Sequence, residues 1–323
     1  MRMTRLLTTL LPISVMAFLA AASTGSFAAT EFPLSIENCG ILTTYAHPPK
    51  RAFTMNQAAT EIMLALGLQE RMVGTAFLDD AILEEFAGAY ETIQVRAKGY
   101  PSRDELLDAN PDFVYAAFPS AFSNEVDGMR DLLRSGADSY LSPSGCEGRD
   151  RSKPASMETV FGEIREIGRI FGVLPRAEQL IASYRADLAA IRNQIGAVNT
   201  PVRVLWYDSG APPFVGACCG TPNEILRLAG AQNIFSDARG SWATVSWDEV
   251  VARNPEVVVL VNASWSMVSQ KRELLSATRA RAGIDAVRHQ RFVTIDFSSS
   301  TPGIRNVAAV RKVAESLYPE KFK

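Results

Sequence analysis

The chain has 323 residues, a formal net charge of -2 and a sequence pI near 5.9. This slight excess of acidic residues gives the chain no net positive charge to attract a polyanion, so a nucleic-acid partner is not expected. Without a 28-residue leader the chain keeps 295 residues, which is enough for two lobes of ordinary domain size with their own cores.

The N-terminus has the three parts of a secretory signal peptide. Arg2 and Arg5 precede an apolar run over residues 6–22, and Ser26-Phe27-Ala28 supplies small residues for cleavage. A membrane anchor is the alternative, but Pro12 and several threonines interrupt the run, which is shorter than the ~20 residues of a span. No Cys follows the cleavage site, so the sequence predicts a soluble periplasmic protein rather than a lipid-anchored one.

Strands and helices alternate through the first half of the chain. Residues 51–54 predict a strand, 58–66 a helix that ends at Gly67, and 72–75 a second strand. Ser102 is a candidate N-cap for a helix that closes before Pro111 and leads into a strand at 113–115. Such alternation predicts a mainly parallel sheet.

A helical block follows. One helix is predicted over 157–171, and after Gly172 a second begins with Pro175 in its first turn. Apolar residues keep a helical period from 177 to 195, about 20 residues and roughly 30 Å, which is long enough to join two lobes. This interior has no Pro or Gly, so the helix should be stiff and ligand-linked closure small.

The second half repeats the first. Beyond the helices, strands are predicted at 202–207, 257–261 and 292–295. Residues 102–115 align without a gap on 246–259, with Asp248 standing 144 positions after Asp104.

A second pair of segments, 61–67 and 224–230, agrees in order with that repeat. Two distant copies do not build a solenoid, so we expect two related lobes facing each other across a cleft. The predicted organisation is a signal peptide at 1–28, an N-terminal α/β lobe at 29–156, a helical block with the linker helix at 157–199 and a C-terminal α/β lobe at 200–323.

These segments resemble the substrate-binding proteins of ABC importers for metal chelates, the class that includes vitamin B12 and ferric siderophore binders. Residues 51–62 are similar to that family's opening strand, loop and helix, and residues 230–235 and 242–246 to its second-lobe signature. The resemblance implies an α/β fold of two Rossmann-like lobes with mainly parallel sheets joined by a long rigid helix, the class III periplasmic binding protein fold. It also implies a monomer that is not an enzyme, needs no cofactor of its own and works with an inner-membrane permease and its ATPase.

In the resembled family each lobe offers an acidic residue to arginines of the permease. By motif position these residues are Asp104 and Asp248. The family usually has Glu there, so Glu105 and Glu249 are candidates to share the contact. The alternative is that all four are helix N-terminal carboxylates that stabilise only their own helices.

Ligands of open α/β sheets lie beyond the carboxyl ends of the strands, and the loops there carry many aromatic residues. By resemblance Phe214 and Trp242 occupy positions that contact the corrin in the B12 binder, and Arg305 and Lys98 are the candidate cations for an anionic chelate. The full set of predicted ligand-binding residues is Met55, Asn56, Gln57, Phe77, Lys98, Tyr100, Phe118, Phe214, Cys218, Cys219, Trp242, Trp265 and Arg305.

Four cysteines in an exported chain point to disulfides, with three possible pairings. A bridge between Cys39 and Cys146 is favoured, which leaves the adjacent Cys218 and Cys219 as a vicinal disulfide or as two free thiols. A thiolate metal site there is the alternative, although no further Cys or His lies nearby in sequence.

A ferric siderophore is the first ligand predicted, cobalamin the second, and haem or a large cofactor such as a deazaflavin precursor the third. Binding of a bare metal ion is disfavoured because the chain has only His47 and His289, and neither is placed like a ligand. A periplasmic hydrolase is the alternative from another class, but no nucleophile elbow, Walker loop or Cys-His pairing is recognisable.

Overall fold

A parallel sheet of five strands forms the core of the first half of the chain. The computed structural model describes residues 29–93, 95–122, 136–146 and 153–323, so the predicted signal peptide lies outside the described residues. In space the strands follow the order β5-β4-β3-β6-β7, and every neighbouring pair is parallel. They are β3 Ala52–Met55, β4 Met72–Ala76, β5 Val95–Ala97, β6 Phe113–Ala116 and β7 Asp138–Leu141, and the helices between them are α1 Gln57–Ala65, α2 Ala87–Glu91 and α3 Arg103–Asp108.

A hairpin that the sequence analysis does not predict precedes this sheet. It consists of β1 Leu34–Asn38 and β2 Ile41–Tyr45, which pair antiparallel. The amide of Asn38 donates to the carbonyl of Leu141 and accepts from its N–H, both at 2.8 Å, which fixes the hairpin to the end of β7. Cys39, in the turn, is joined to Cys146 by a disulfide with the Cα atoms 5.1 Å apart.

Two consecutive helices link the halves. These are α4 Met157–Ile170 and α5 Leu174–Ile195. Gly172 lies between them with φ 69°, a left-handed conformation in which glycine carries no side-chain penalty. The 22-residue α5 has Pro175 in its first turn, as predicted, and ends at Gly196. The described part of the chain contains no helix with the length and apolar character of a membrane span.

The second half is built on a mixed sheet. Strand β8 pairs in parallel with β12 and with β10, and β12 pairs in parallel with β13. Near its end β8 also pairs antiparallel with β9, which pairs antiparallel with β11, an extension that the sequence analysis misses. The strands are β8 Val202–Ser209, β9 Phe214–Gly216, β10 Ala231–Asn233, β11 Trp242–Thr244, β12 Val257–Asn262 and β13 Phe292–Asp296. The helices are α6 Thr221–Leu228, α7 Trp247–Arg253, α8 Val268–Ser276, α9 Arg279–Ala282, α10 Asp285–Arg288, α11 Phe297–Ser300 and α12 Arg305–Leu317.

The internal repeat is visible in local geometry. Ser102 begins α3 and Ser246 begins α7, each with a capping box in which the serine hydroxyl accepts from the N–H of the glutamate three residues on. Asn110 and Asn254, which align in the repeat, both adopt the left-handed conformation after their helices, with φ 46° and 41°. Two α/β units with equivalent helix-to-strand connections therefore flank the linker helix.

Candidate functional site

A cleft of about 450 Å³ lies between the two sheets, where loops from both halves meet. Its first wall follows the carboxyl ends of β6 and β7, and its second wall comes from the loops around β9, β11 and α11. The residues that line it are Ala117, Phe118, Pro119, Ser144, Gly145, Ala155, Phe214, Cys219, Gly220, Thr221, Gly240, Ser241, Trp242, Ser300, Thr301 and Pro302.

Two predicted aromatic residues form a stacked pair in the second wall. The rings of Phe214 and Trp242 lie 5.6 Å apart between centroids with an interplanar angle of 18°. The antiparallel register of β9 and β11 sets Phe214 opposite Thr244 and Trp242 opposite Gly216, so both rings project from the same face. Phe214 remains 36% exposed, which leaves ring area for a ligand.

Phe118 belongs to the opposite wall, and a buried asparagine fixes its backbone. The Oδ1 atom of Asn56 accepts from the N–H groups of Ala117 at 3.2 Å and Phe118 at 3.4 Å. Its Nδ2 atom donates to the hydroxyl of Tyr100 at 2.9 Å, and that hydroxyl lies 2.8 Å from Oγ of Ser120. Asn56 and Tyr100 therefore hold the loop after β6 rather than lining the cavity themselves.

The other predicted residues of the first half lie behind or beside the cleft. Phe77 packs edge-on against Tyr100 with centroids 4.7 Å apart, at the border of the core. Met55 is fully buried in that core, and Gln57 is 2% exposed, with its amide donating to Glu61. Lys98 is exposed, and the structure does not place it among the residues that line the cleft.

Arg305 does not offer its charge to a ligand in this structure. Its guanidinium is 6% exposed and forms a bidentate ion pair with Glu61, which is 1% exposed. It also donates to the carbonyl of Ala81 at 2.7 Å. The sequence analysis treats Arg305 as a loop cation, whereas it is the first residue of α12 and is directed into the contact between the halves.

Trp265 lies on the second lobe beside another contact between the halves. It is 56% exposed and packs edge-on against Phe297 at 4.9 Å. The residue after Phe297 is Ser298, whose N–H donates to Asp80 of the first half at 2.7 Å. Trp265 is not among the residues that line the 450 Å³ cavity.

The vicinal cysteines are joined to each other in the loop between β9 and α6. Cys219 lines the cleft and is 4% exposed, while Cys218 is partly exposed beside it. The carbonyl of Cys219 accepts from the N–H of Ala155 at 3.0 Å, which connects this wall to the segment that enters α4.

The cleft surface is electrically neutral along its described length. None of the described residues that line it has an ionisable side chain, and its polar groups are hydroxyls such as Ser144, Ser241 and Ser300 together with backbone atoms. The nearby loop after β4 does contain two carboxyl groups, and burial together with the neighbouring Asp80 raises the pKa of Asp79 to about 6.

Most of the hydroxyl-bearing residues of the cleft are not predicted from the sequence. Ser144 and Gly145 follow β7, a strand that it does not identify, and Thr221 and Ser241 flank the unpredicted strands β9 and β11. Ser300 lies within the segment 298–305, which ends at the predicted cation Arg305. The run Ser-Tyr-Leu in β7 is a local strand signal. Because ligands lie beyond the carboxyl ends of strands, that signal would have identified residues 144–145 as candidates.

The predicted docking carboxylates divide into two kinds. Glu105 and Glu249 each accept from the N–H and hydroxyl of their N-cap serine, and the backbone hydrogen bond is the main reason that their pKa values are lowered. Asp104 and Asp248 each precede one of these glutamates by one residue. Both are exposed, and neither makes a hydrogen bond or ion pair with any described residue. The two aspartates are thus the carboxylates left available for an external cation.

Neither histidine belongs to a metal-binding group. His47 has Nδ1 3.3 Å from the carbonyl of Pro48, and Nδ1 of His289 lies 3.0 Å from the carbonyl of Asp285. Within the ranges that the structure describes, no cluster of His, Cys, Asp and Glu side chains is arranged to hold a metal ion.

Residues 54–298, which include both sheets and the linker helix, match the family described as periplasmic binding protein. The chain belongs to this family, whose members are substrate-binding transport proteins rather than enzymes. Its fold is the two-lobed class III arrangement that the sequence analysis predicts.

Individual relatives agree with this assignment. The crystal structure of a periplasmic binding protein from Veillonella parvula is 32% identical, with a TM-score of 0.78 over 88% of this chain and 97% of that one. An uncharacterised ABC transporter substrate-binding lipoprotein of Bacillus subtilis, YvrC, is 25% identical over 90% of this chain and 88% of its own length. The vitamin B12-binding protein of Vibrio parahaemolyticus is 23% identical over 67% of this chain and 72% of its own.

Proposed function

We propose that this protein captures an uncharged, bulky metal chelate of the corrinoid type in the cleft between its lobes and delivers it to an ABC permease. The observation that carries this proposal is a neutral cleft walled by the Phe214 and Trp242 stack on one side and by Phe118 on the other. Aromatic faces bind flat apolar ligand surfaces, while a few polar groups fix their orientation.

The described lining of the cleft carries no charge, which favours a neutral ligand over an anionic ferric siderophore. A ferric siderophore complex with net negative charge would need a cation to replace its lost hydration, because a buried charge without a partner is costly. Arg305 is occupied by Glu61, and Lys98 lies outside the lining. A hydroxyl group such as that of Ser241, which is partly exposed in the cleft, suits a neutral ligand whose periphery carries amides or hydroxyls.

One of the relatives supports the same ligand class. The protein from V. parahaemolyticus is named for vitamin B12, a corrinoid, and its match covers two thirds of this chain. A signal peptide is predicted at 1–28, so we place the action of the protein outside the cytoplasmic membrane.

Delivery requires recognition by the permease, and we assign it to Asp104 and Asp248. Their equivalent positions at the starts of α3 and α7 put one unpaired carboxylate on each lobe. Two matching acidic sites suit a partner whose two halves are related by approximate twofold symmetry.

Direct binding tests the ligand class. Titration of the mature protein with cyanocobalamin, followed by tryptophan fluorescence, should give saturable binding, whereas the same titration with a negatively charged ferric tricatecholate should not. Trp242→Ala should weaken cobalamin binding at least tenfold, since stacked aromatic contact is lost. Trp265→Ala is the matched control and should leave affinity within about threefold, because Trp265 lies outside the cavity. Tight binding of the tricatecholate with none of cobalamin would overturn the proposal.

A further inference from the structure

One wall of the cleft contains a vicinal disulfide, which a thiol can reduce to two cysteine thiols. Cys218 and Cys219 are bonded to each other, and Cys219 lines the cavity together with the aromatic pair. Cys218 is partly exposed whereas Cys219 is buried, so we take Cys218 as the residue that an external thiolate attacks.

The backbone around this disulfide is held by bonds that do not depend on it. The N–H of Cys218 donates to Ala238 at 3.0 Å, and that of Cys219 donates to Gly240 at 3.1 Å. Gly220 packs so closely on the adjacent loop that an added Cβ would lie 2.5 Å from the carbonyl of Ser241. Cleavage of the S–S bond should therefore change the two sulfurs while the loop stays in place.

An acceptor is already in position for the reduced form. The sulfur of Cys218 lies 3.6 Å from the carbonyl oxygen of Gly240, which is within reach of a thiol donor. Gly240 also lines the cleft and lies two residues before Trp242. A thiol at Cys218 could thus donate a hydrogen bond to Gly240 without rearrangement of its neighbours.

We infer that Cys218 and Cys219 form a reversible modification site that sets ligand affinity, with thiols as the class of reactant that acts on it. This inference rests on the proposed function of the cleft. A thiolate of an external dithiol attacks the sulfur of Cys218, and the sulfur of Cys219 leaves as a thiolate and takes up a proton. The second thiolate of the reagent then displaces Cys218, so that the reagent is oxidised to its disulfide as the protein gains two electrons and two protons.

Reduction changes the wall in two ways that disfavour the ligand. The two sulfurs separate from bonding distance, ~2.05 Å, to van der Waals contact, and each side chain regains free rotation about χ1. Binding then has to order two more side chains, so we expect about threefold to tenfold weaker affinity.

The experiment compares oxidised and reduced mature protein with cyanocobalamin as the probe. Dithiothreitol treatment, alkylation with iodoacetamide and peptide mass analysis show which cysteines are reduced, a readout that needs no ligand. The control is Cys218→Ser with Cys219→Ser, which keeps the bond between Cys39 and Cys146. The wild type should lose affinity on reduction and regain it on reoxidation by exchange with an excess of a low-molecular-weight disulfide, which is reduced to its thiols as the bond re-forms. The control should bind like reduced wild type with or without dithiothreitol.

Three results would overturn the inference. They are an unchanged dissociation constant although both cysteines are alkylated, failure of dithiothreitol to reduce them in the folded protein, and an equal loss of affinity when the serine control is treated with dithiothreitol, which would assign the effect to the bond between Cys39 and Cys146. Failure of the untreated protein to bind cyanocobalamin contradicts instead the proposed function, so the two failures are distinguishable.

Discussion

Arg305 and Glu61 form a buried bidentate ion pair across the two halves of the molecule, 244 positions apart in the chain. Glu61 lies on α1 beside the first sheet, and Arg305 begins α12 of the second half. Ser298 adds a hydrogen bond to Asp80 in the same region. Together with the uninterrupted helix α5, these contacts favour a nearly fixed separation of the lobes.

Removal of one partner of this pair should destabilise the protein strongly. Arg305→Met leaves the carboxylate of Glu61 buried without its counter-ion, which costs roughly 3–5 kcal/mol in the free energy of unfolding. The double replacement Glu61→Leu with Arg305→Met should recover most of that loss, because no buried charge remains. Denaturation with guanidinium chloride measures the free energy of unfolding of the single and the double variant.

Arg311 provides the control for this prediction. It lies on the same helix, its side chain is 37% exposed, and its nitrogen is 3.8 Å from Asp187. Arg311→Met should change the free energy of unfolding by no more than about 1 kcal/mol. A loss for Arg305→Met as small as that of the control would show that the inter-lobe pair contributes little.

Stability should depend on pH through Glu163, which joins the first sheet to helix α4. Its carboxylate accepts from Tyr115 at 2.5 Å and from Ser142 at 2.8 Å, and complete burial raises its pKa to about 7. The folded state thus holds its proton more tightly than the unfolded state, whose pKa is the ordinary 4.5. The free energy of unfolding should fall as pH rises from about 4.5 to 7, by an amount on the order of 3 kcal/mol.

Glu163→Gln removes that titration and keeps an acceptor for Tyr115. Urea denaturation at pH 5 and pH 8 should give more similar stabilities for this variant than for the wild type. Glu158→Gln, on the same helix with its side chain 61% exposed, should keep the wild-type pH dependence. A wild type that is equally stable at both pH values would contradict the predicted role of Glu163.

Asn56 should be a positioning residue for the cleft. Asn56→Ala removes the side-chain acceptor that the N–H groups of Ala117 and Phe118 share, and Ala117 keeps only its longer bond of 3.4 Å to the carbonyl of Met55. The loss should cost about 1–3 kcal/mol and release the loop that carries Phe118. Asn56→Asp keeps the acceptor and is the matched control. Cobalamin titration should show at least tenfold weaker binding for Asn56→Ala and near wild-type binding for Asn56→Asp, and equal affinities of the two variants would argue against the role.

The sequence predicted those parts of the fold that local signals encode. The N-caps Ser102 and Ser246 and the start and end of α5 follow from residue type and spacing, and the structure confirms these elements. The pairing of Arg305 with Glu61 could not be found in this way, because an arginine near a loop gives no local sign of its distant partner. The family resemblance nominates Phe214 and Trp242 as ligand contacts, but their stacking depends on the short strands β9 and β11, which are not predicted from the sequence.

Permease docking should depend on the two exposed aspartates and should be separable from ligand binding. Asp104→Lys combined with Asp248→Lys reverses both unpaired carboxylates, so uptake of labelled cobalamin by cells that depend on this protein should be abolished. Affinity in solution should stay within about twofold, since neither residue lines the cleft.

The control for docking is Asp108→Lys, because Asp108 is also exposed on α3 but lies at the end of that helix. It changes the charge of the same lobe by the same amount at a different place, and we expect it to retain uptake. If the double variant transports as well as the wild type, the permease does not recognise Asp104 and Asp248. Loss of uptake with Asp108→Lys alone would instead point to the net charge of the lobe as the recognised feature.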